Sequence, residues 1–274
     1  MIFLLLACTG SKDSTPQDSD PIPSSYLVNW STSPDAVAGA EVEFTLQVTD
    51  QDGNAIEDLQ QEHQRMVHTI FISQDLTDFQ HLHQEDFTDL TVENLKNATF
   101  SFPITLKKAG SYKLGFDYAH RNQYLHTEDW MEVSGEPLAG TPTPDTATTA
   151  LIDDMELSLT WDLAPMAGFE TSWVLTVKDT DGNPVTDITP WLGADAHAIV
   201  TDIDLTSIGH THAWVPGMET APPGHDMPHT YPGPILPFHY TFLNAGTYKM
   251  WIQFARDRDP SKVYTVPFWF TVSP

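Results

Sequence analysis

The chain has 274 residues, and at roughly 150 residues per domain this length predicts two domains. Twelve Lys and Arg residues stand against 38 Asp and Glu residues, which gives a formal net charge of −26. So acidic a chain repels polyanions and offers no basic surface, so we expect no nucleic-acid partner.

The N-terminus carries a short apolar run that ends at the only cysteine, Cys8. The segment from Leu5 to Cys8 resembles the bacterial lipobox, and the run is too short to span a bilayer. The resemblance implies diacylation of the Cys8 thiol, cleavage before it, and attachment to a membrane through the lipid. We expect an extracytoplasmic protein at the outer membrane or cell surface. No Lys or Arg precedes the run, which indicates a true start upstream of Met1. A truncated ordinary signal peptide with an incidental cysteine is the alternative to the lipobox.

After this signal segment, residues 1–7, the composition divides the chain. Residues 8–25 are rich in Ser, Asp and Pro and predict a flexible stalk. Residues 26–134 predict a first β-sandwich and residues 151–274 a second one, and a Pro/Thr/Gly linker over 135–150 joins them.

Within each half, short strands alternate with turns. The period-two pattern predicts strands at 42–48, 66–72, 99–106 and 111–118, whereas no stretch sustains the 3.6-residue period of a helix. Pro267 places the last strand, 263–272, at a sheet edge or bulge. The predicted fold class is all-β, with two tandem immunoglobulin-like β-sandwich domains.

An internal repeat supports this division. Val48 and the Asp-Gln-Asp-Gly-Asn turn that follows match Val177 and an Asp-Thr-Asp-Gly-Asn turn, an offset of 177 − 48 = 129. A later block, Ala109-Gly-Ser-Tyr-Lys, matches Ala245-Gly-Thr-Tyr-Lys at an offset of 245 − 109 = 136. Seven extra residues, 136 − 129, therefore lie between these blocks in the second copy. The Asp-Gly-Asn segments predict tight turns rather than calcium loops, because they lack the EF-hand spacing.

Three histidines of each copy coincide at the offset of 129. The pairs are His68 with His197, His81 with His210, and His83 with His212. A His-x-His pair in a strand places both imidazoles on one face, and a neighbouring strand can supply a third nitrogen. Imidazole suits copper, zinc or nickel, whereas a chain with no thiol beyond Cys8 excludes a blue-copper site.

A structural role for these histidines is the alternative. His68 has the same strand parity as Ile70 and Ile72, so it lies on a packed face and its ring nitrogens need hydrogen-bond partners. Duplication of a domain copies a structural histidine as faithfully as a metal ligand. The repeat by itself leaves both interpretations open.

The second copy adds a loop, residues 213–235, that is rich in His, Met and Pro. Thioether and imidazole together favour Cu(I), and the nitrogens also accommodate Cu(II). We therefore predict a main copper site in the second domain and a weaker one, or its structural remnant, in the first. The predicted ligands are His197, His210, His212, His225, Met227 and His229 in the second domain, and His68, His81 and His83 in the first. The alternative is a proline-stiffened, exposed loop with incidental His and Met residues.

The pattern of Met66-Val-His68, an Asp-Leu turn, the His81-x-His83 pair and Ala109-Gly-Ser-Tyr-Lys resembles YtkA-like domains of secreted bacterial proteins. The second copy has Asp-Ala-His197 where that pattern has Met-x-His, so no shared role for the methionine is carried over. The resemblance implies an immunoglobulin-like sandwich, an extracytoplasmic setting and a link to transition-metal handling, but no reaction.

Taken together, these features predict a non-enzymatic, membrane-anchored protein that binds a transition metal, copper ahead of zinc. They identify no protein partner. A surface adhesion or scaffold protein with structural histidines is the alternative. A zinc hydrolase is a third hypothesis, but no carboxylate shared by both copies is spaced to act as its general base.

Overall fold

The computed structural model describes residues 22–23, 26–136, 143–213 and 233–274. Both described halves are all-β, and each is a sandwich of two sheets with immunoglobulin-like strand order, so the predicted fold class is confirmed. Four of the predicted functional residues, Cys8, His225, Met227 and His229, lie outside the described residues. No helix among the described residues has the length and apolar character needed to cross a membrane.

The first domain packs one sheet of order β2-β3-β7 against another of order β1-β9-β8-β5-β6, in which β4 also pairs with β8. A 3₁₀ helix (Gln84–Asp86) and a short helix α1 (Val92–Asn97) connect β6 to β7. The strands are β1 (Ile22–Pro23), β2 (Leu27–Ser33), β3 (Glu41–Thr49), β4 (Leu59–Gln60), β5 (Val67–Ser73), β6 (Phe79–Leu82), β7 (Thr99–Thr105), β8 (Gly110–His120) and β9 (Gln123–Val133).

Alternation along β3 builds the core of this domain. Phe44, Leu46 and Val48 point inward and are fully buried. The Phe44 ring meets the Phe71 ring of the opposite sheet edge to face, with 5.0 Å between centroids. After β3 the carboxylate of Asp50 accepts the Asn54 N–H at 2.8 Å, which closes the predicted turn.

The second domain repeats this plan, with a sheet of order β10-β11-β12-β16 against one of order β13-β17-β14-β15, in which β18 also pairs with β17. Pro267 lies in β18, which has no strand on its other side among the described residues, so the predicted edge position is confirmed. The strands are β10 (Thr149–Ile152), β11 (Met155–Trp161), β12 (Glu170–Asp179), β13 (Ile188–Thr189), β14 (His197–Asp202), β15 (Ile208–His212), β16 (Ile235–Thr241), β17 (Gly246–Arg256) and β18 (Asp259–Val272).

The two domains meet through equivalent faces, the outer faces of the sheets that contain β5 and β14. Every residue of β5 and of β14 is buried, which requires a covering layer on both sides of each sheet. Phe79 of the first domain stacks on Trp251 of the second, with 4.7 Å between ring centroids. An apolar cluster crosses the interface and contains Ile70, Ile72, Leu76, Ile199, Leu205, Ile208 and Trp251.

Candidate metal centre between the domains

All six repeated histidines lie in one buried cluster at this interface. His68 lies on β5, His81 on β6 and His83 just before the 3₁₀ helix; we call these three the first trio. Their counterparts in the second domain, the second trio, are His197 on β14 with His210 and His212 on β15. The trios adjoin, since the ring centroids of His81 and His210 are 5.2 Å apart.

Strand alternation explains how each trio assembles. His68 has the parity of Ile70 and Ile72, so all three side chains leave β5 on the face that meets the other domain. His210 and His212 are two residues apart on β15 and lie on the same face of that strand. The same sheet geometry that buries the apolar interface therefore also brings the imidazoles together.

The first trio points three ring nitrogens at one another. His68 Nδ1 is 3.1 Å from His81 Nε2 and 2.9 Å from His83 Nε2, and the remaining pair is 3.2 Å apart. A tetrahedral ion with metal–nitrogen bonds of about 2.0–2.1 Å requires nitrogens about 3.3 Å apart. The triangle of nitrogens is therefore close to the size of a three-imidazole metal site.

The outer nitrogen of each ring in this trio faces a hydrogen-bond acceptor. His68 Nε2 donates to the carbonyl oxygen of Glu62 at 3.1 Å, and His81 Nδ1 donates to Gln253 Oε1 of the second domain at 2.9 Å. His83 Nδ1 donates to the carboxylate of Asp86 at 2.7 Å. Since a neutral imidazole has one N–H, these acceptors place it outward and leave three lone pairs converging inward.

The trio is also held in its neutral form. Burial first, and then repulsion from neighbouring imidazoles, lowers the pKa of His68 and of His83 well below the ordinary value of 6.5. Burial and the nearby His210 likewise lower the pKa of His81 to about 3. Neutral imidazoles whose lone pairs converge repel one another, and a cation between them removes that repulsion.

The second trio repeats part of this arrangement. His197 Nδ1 is 3.1 Å from His210 Nε2, and the outer nitrogen of His197 donates to the carbonyl oxygen of Trp191 at 2.8 Å. The outer nitrogen of His210 donates across the interface to Asp117 of the first domain at 3.0 Å. His212 completes the group, in which the facing nitrogens of all three rings lie within 4.8 Å of one another.

The repeat did not point to His63, a seventh histidine that joins the cluster. Its ring lies over that of His212, with 3.8 Å between centroids, and 6.0 Å from that of His197. His63 is 8 % exposed, and its Nδ1 has no hydrogen-bond partner among the described residues. The second copy has Leu192 at the equivalent position, so the offset that identified the other six gave no signal here. His63 and Leu192 both have positive φ, each as the first of two such residues in a row. This shared backbone conformation is the structural sign that the two positions are equivalent.

A buried charge network supports the second trio from the first domain. Asp117 accepts from His210 through one oxygen and from His126 Nδ1 through the other, at 3.0 and 2.5 Å. Burial opposes protonation of His126, but Asp117 and Glu128 together raise its pKa to about 10. Glu128 in turn accepts the backbone N–H of Ile208 at 2.6 Å, so the network fastens β15 to the first domain.

The structure thus brings six of the nine predicted metal ligands together in one cluster at the domain interface. His225, Met227 and His229 lie outside the described residues, so the predicted participation of the loop stays a prediction. Met66 belongs to the core of the first domain, not to the cluster. Neither Asp117 nor Gln253 carried a signal in the sequence, because the duplicated position holds different residue types.

Three solved structures are distantly similar to this chain. The adhesin FdeC of Escherichia coli is 17% identical over 92% of this chain and 65% of that chain, with a TM-score of 0.25. The adhesin InvE of Yersinia pseudotuberculosis is 12% identical over 89% of this chain and 58% of its own, with a TM-score of 0.24. Invasin, a bacterial integrin-binding protein, is 12% identical over 90% of this chain and 40% of its own, with a TM-score of 0.25.

This chain therefore spans less than two thirds of the length of each of these structures, and TM-scores this low carry no argument. No curated protein matches the sequence. A family model described as "Domain of unknown function (DUF8832)" matches residues 23–135 and again residues 149–274, so it covers both sandwiches. The chain belongs to the DUF8832 family and carries two copies of its domain.

Proposed function

We propose that this protein binds a transition metal ion between its two domains and acts as an extracytoplasmic copper-binding protein. The observation that carries the proposal is the first trio: three neutral imidazoles direct their lone pairs at a common point, at separations of 2.9–3.2 Å. Outward hydrogen bonds fix each tautomer, as the second shell of a metal site does.

A purely structural histidine cluster has a different hydrogen-bonding requirement. Buried imidazoles that only stabilise a fold donate and accept in turn, so that each N–H faces a lone pair. Here the outer acceptors take up all three N–H groups of the first trio, and no donor is left for the inner nitrogens. A bound cation satisfies them.

The ligand type argues for copper ahead of zinc. All the converging donors are imidazole nitrogens, and for a given nitrogen site the divalent affinity order places Cu(II) above Zn(II). A non-enzymatic role fits the burial of the site, since His68 and His83 are at most 1 % exposed and a substrate has no direct access to them. The Cys8 lipid anchor belongs to the same proposal and supplies the extracytoplasmic location.

The test is an anaerobic titration of the full chain with Cu(I), Cu(II) and Zn(II), in a Cys8→Ser background so that the thiol does not bind metal. We expect tight binding that is lost at the first trio in His81→Ala/His83→Ala and fully retained in His120→Ala. His120 is an equally buried histidine that bonds Asp58 outside the cluster, which makes it a matched control. Binding no tighter than about micromolar, or equal binding by the two variants, contradicts the proposal.

A surface adhesion or scaffold role is the second candidate, and an exposed apolar patch on the second domain favours it. Leu163, Phe169 and Leu243 are 77 %, 60 % and 72 % exposed. The Gly168 N–H donates to the Phe242 carbonyl oxygen at 2.8 Å, which holds their two loops together. Apolar patches of this kind mark interaction sites. If the titration shows no metal binding, replacing the three side chains by Ser and measuring attachment to a cell surface tests this role.

A further inference from the structure

We propose that the interface holds two metal ions rather than one, and that His63 of the first domain is a ligand of the second ion. This inference rests on the proposed function, since it adds an ion beside the one assigned to the first trio. The second ion is bound by His197, His210 and His212, with His63 as the ligand from across the interface.

Hydrogen bonds fix the tautomers of two histidines in the second trio in the same way as in the first. The outer nitrogens of His197 and His210 donate to Trp191 and Asp117, so their inner nitrogens, 3.1 Å apart, are both lone pairs. The nitrogens of His197, His210 and His212 all lie within 4.8 Å of one another, so they surround a common point. Three imidazoles leave the fourth position of a tetrahedral ion open to an additional nitrogen.

His63 is placed to supply that nitrogen. Its Nε2 lies 3.8 Å from the Glu62 carboxylate, while its buried Nδ1 has no hydrogen-bond partner among the described residues. An unpaired buried nitrogen is costly, so its position beside His212 requires a reason. A metal ion held by the second trio satisfies the Nδ1 lone pair.

Sharing one ion between the trios is the competing arrangement, because His68, His81 and His210 also form a group within 4.8 Å. However, His210 Nε2 already faces His197 Nδ1 at 3.1 Å, and the first trio closes on itself at 2.9–3.2 Å without it. Each trio therefore forms its own centre, and the two centres adjoin.

The number of metal ions bound per chain and the magnetic coupling between them distinguish two centres from one. In the Cys8→Ser full chain we expect two equivalents of Cu(II) per chain. The doubly loaded protein is expected to show a half-field EPR transition, because two Cu(II) ions at adjoining centres are close enough to couple. His63→Leu introduces the residue that the second copy has at the equivalent position, Leu192. We expect this change to weaken binding of the second copper ion only. We expect His212→Leu to reduce the count to one and abolish the half-field signal.

The loop residues outside the described part of the chain supply the necessary control. A variant with His225, Met227 and His229 all changed to Ala is expected to retain both equivalents and the half-field signal. If His212→Leu does not fold, the copper equivalents and the half-field signal of this loop variant still test the inference. The inference is overturned if the second equivalent disappears with the loop, or if the chain binds a single ion that both His83→Ala and His210→Ala remove. A chain that binds no copper contradicts the proposed function itself.

Discussion

The two trios occupy equivalent positions in duplicated domains, yet each is held by a different set of neighbours. His81 of the first trio donates to an amide, Gln253, whereas His210 of the second donates to a carboxylate, Asp117. Gln253 pairs with neutral Thr265 at 3.1 Å, while Asp117 pairs with the imidazolium of His126. Duplication thus preserved the imidazoles while their supports diverged, so the trios share a geometry but differ in electrostatics.

Acid provides the largest expected effect, and it acts on both trios. Burial holds the folded pKa below the unfolded value of 6.5 at six histidines of the cluster, with His63 and His81 near 3: His63, His68, His81, His83, His197 and His212. Above pH 6.5 both states of the protein are neutral at these groups. As the pH falls below 6.5, the unfolded state takes up protons that the folded state excludes, so stability is lost.

Each excluded proton costs about 1.4 kcal/mol per pH unit, so the metal-free chain should lose stability steeply between pH ~6.5 and ~4.5. Urea denaturation across that range measures the slope. His81→Leu/His83→Leu and His197→Leu/His212→Leu each remove two histidines with a lowered pKa from one trio, and we expect both to flatten the curve. A metal-free slope no steeper than that of either double variant contradicts the assignment of neutral, buried histidines.

The second prediction separates the two supports. Asp117→Ala leaves the buried His126 imidazolium with Glu128 as its remaining carboxylate partner, and breaking such a buried pair costs about 3–5 kcal/mol. Gln253→Ala, the matched change in the other domain, leaves only a neutral His81 N–H unpaired, at about 1–3 kcal/mol. Thermal or urea unfolding of the metal-free proteins compares them.

A double variant that exchanges one pair of supporting residues for the other controls this comparison. Asp117→Gln/His126→Thr gives the first domain the neutral pair of the second, so it should recover most of the stability that Asp117→Ala loses. If Asp117→Ala and Gln253→Ala are equally destabilising, the charge of the first-domain network has no energetic consequence.

The third prediction concerns metal affinity at each trio. Asp86→Asn removes the carboxylate behind His83, and Asp117→Asn removes the one behind His210. Loss of an outer-shell carboxylate lowers metal affinity roughly 10–100-fold, so each change should weaken one equivalent of copper and spare the other. Competition with a chelator of known affinity measures both steps. Asp58→Asn, behind His120, is the matched control and should change neither.

The smallest effect probes the interface beside the cluster. A Cβ at Gly115 meets Ile208 Cδ1 of the second domain at 3.1 Å, whereas the equivalent position of the second domain holds Trp251. Gly115→Ala should therefore cost about 1 kcal/mol, the low end of overpacking. Ile208→Val removes the Cδ1 atom, so a double-mutant cycle should show the two changes to be coupled. Strict additivity would mean that the domains adjust without strain.

Much of this molecule was predictable from patterns within one copy. The alternation at Phe44, Leu46 and Val48 predicted a strand, the repeat predicted two sandwiches, and Pro267 predicted an edge strand, because each depends on local chain geometry. The helix over 92–97 was missed, since six residues are too few to establish a helical period; its N-cap, Thr91, was the remaining signal.

The meeting of the trios was not predictable in the same way, because it depends on how two folded domains pack. The continuous apolar stretch after His68 was the available signal: a strand whose residues are buried on both faces requires a second layer. His63 escaped detection because its counterpart is Leu192. Asp117 and Gln253 were not predicted because any hydrogen-bond acceptor can hold the outer nitrogen of a histidine, and many residue types provide one.

Burial of the cluster between two sandwiches also affects how fast a bound ion is released. The apolar contacts at Ile70 and Ile199 and the hydrogen bond from the Ile208 N–H to Glu128 join the two domains beside it. An ion bound there is out of reach of a competing chelator until the domains part, so its release rate should become independent of chelator concentration. Residence time would then be set by the lifetime of the interface, and the protein would give up its metal on the timescale of domain separation rather than of ligand exchange.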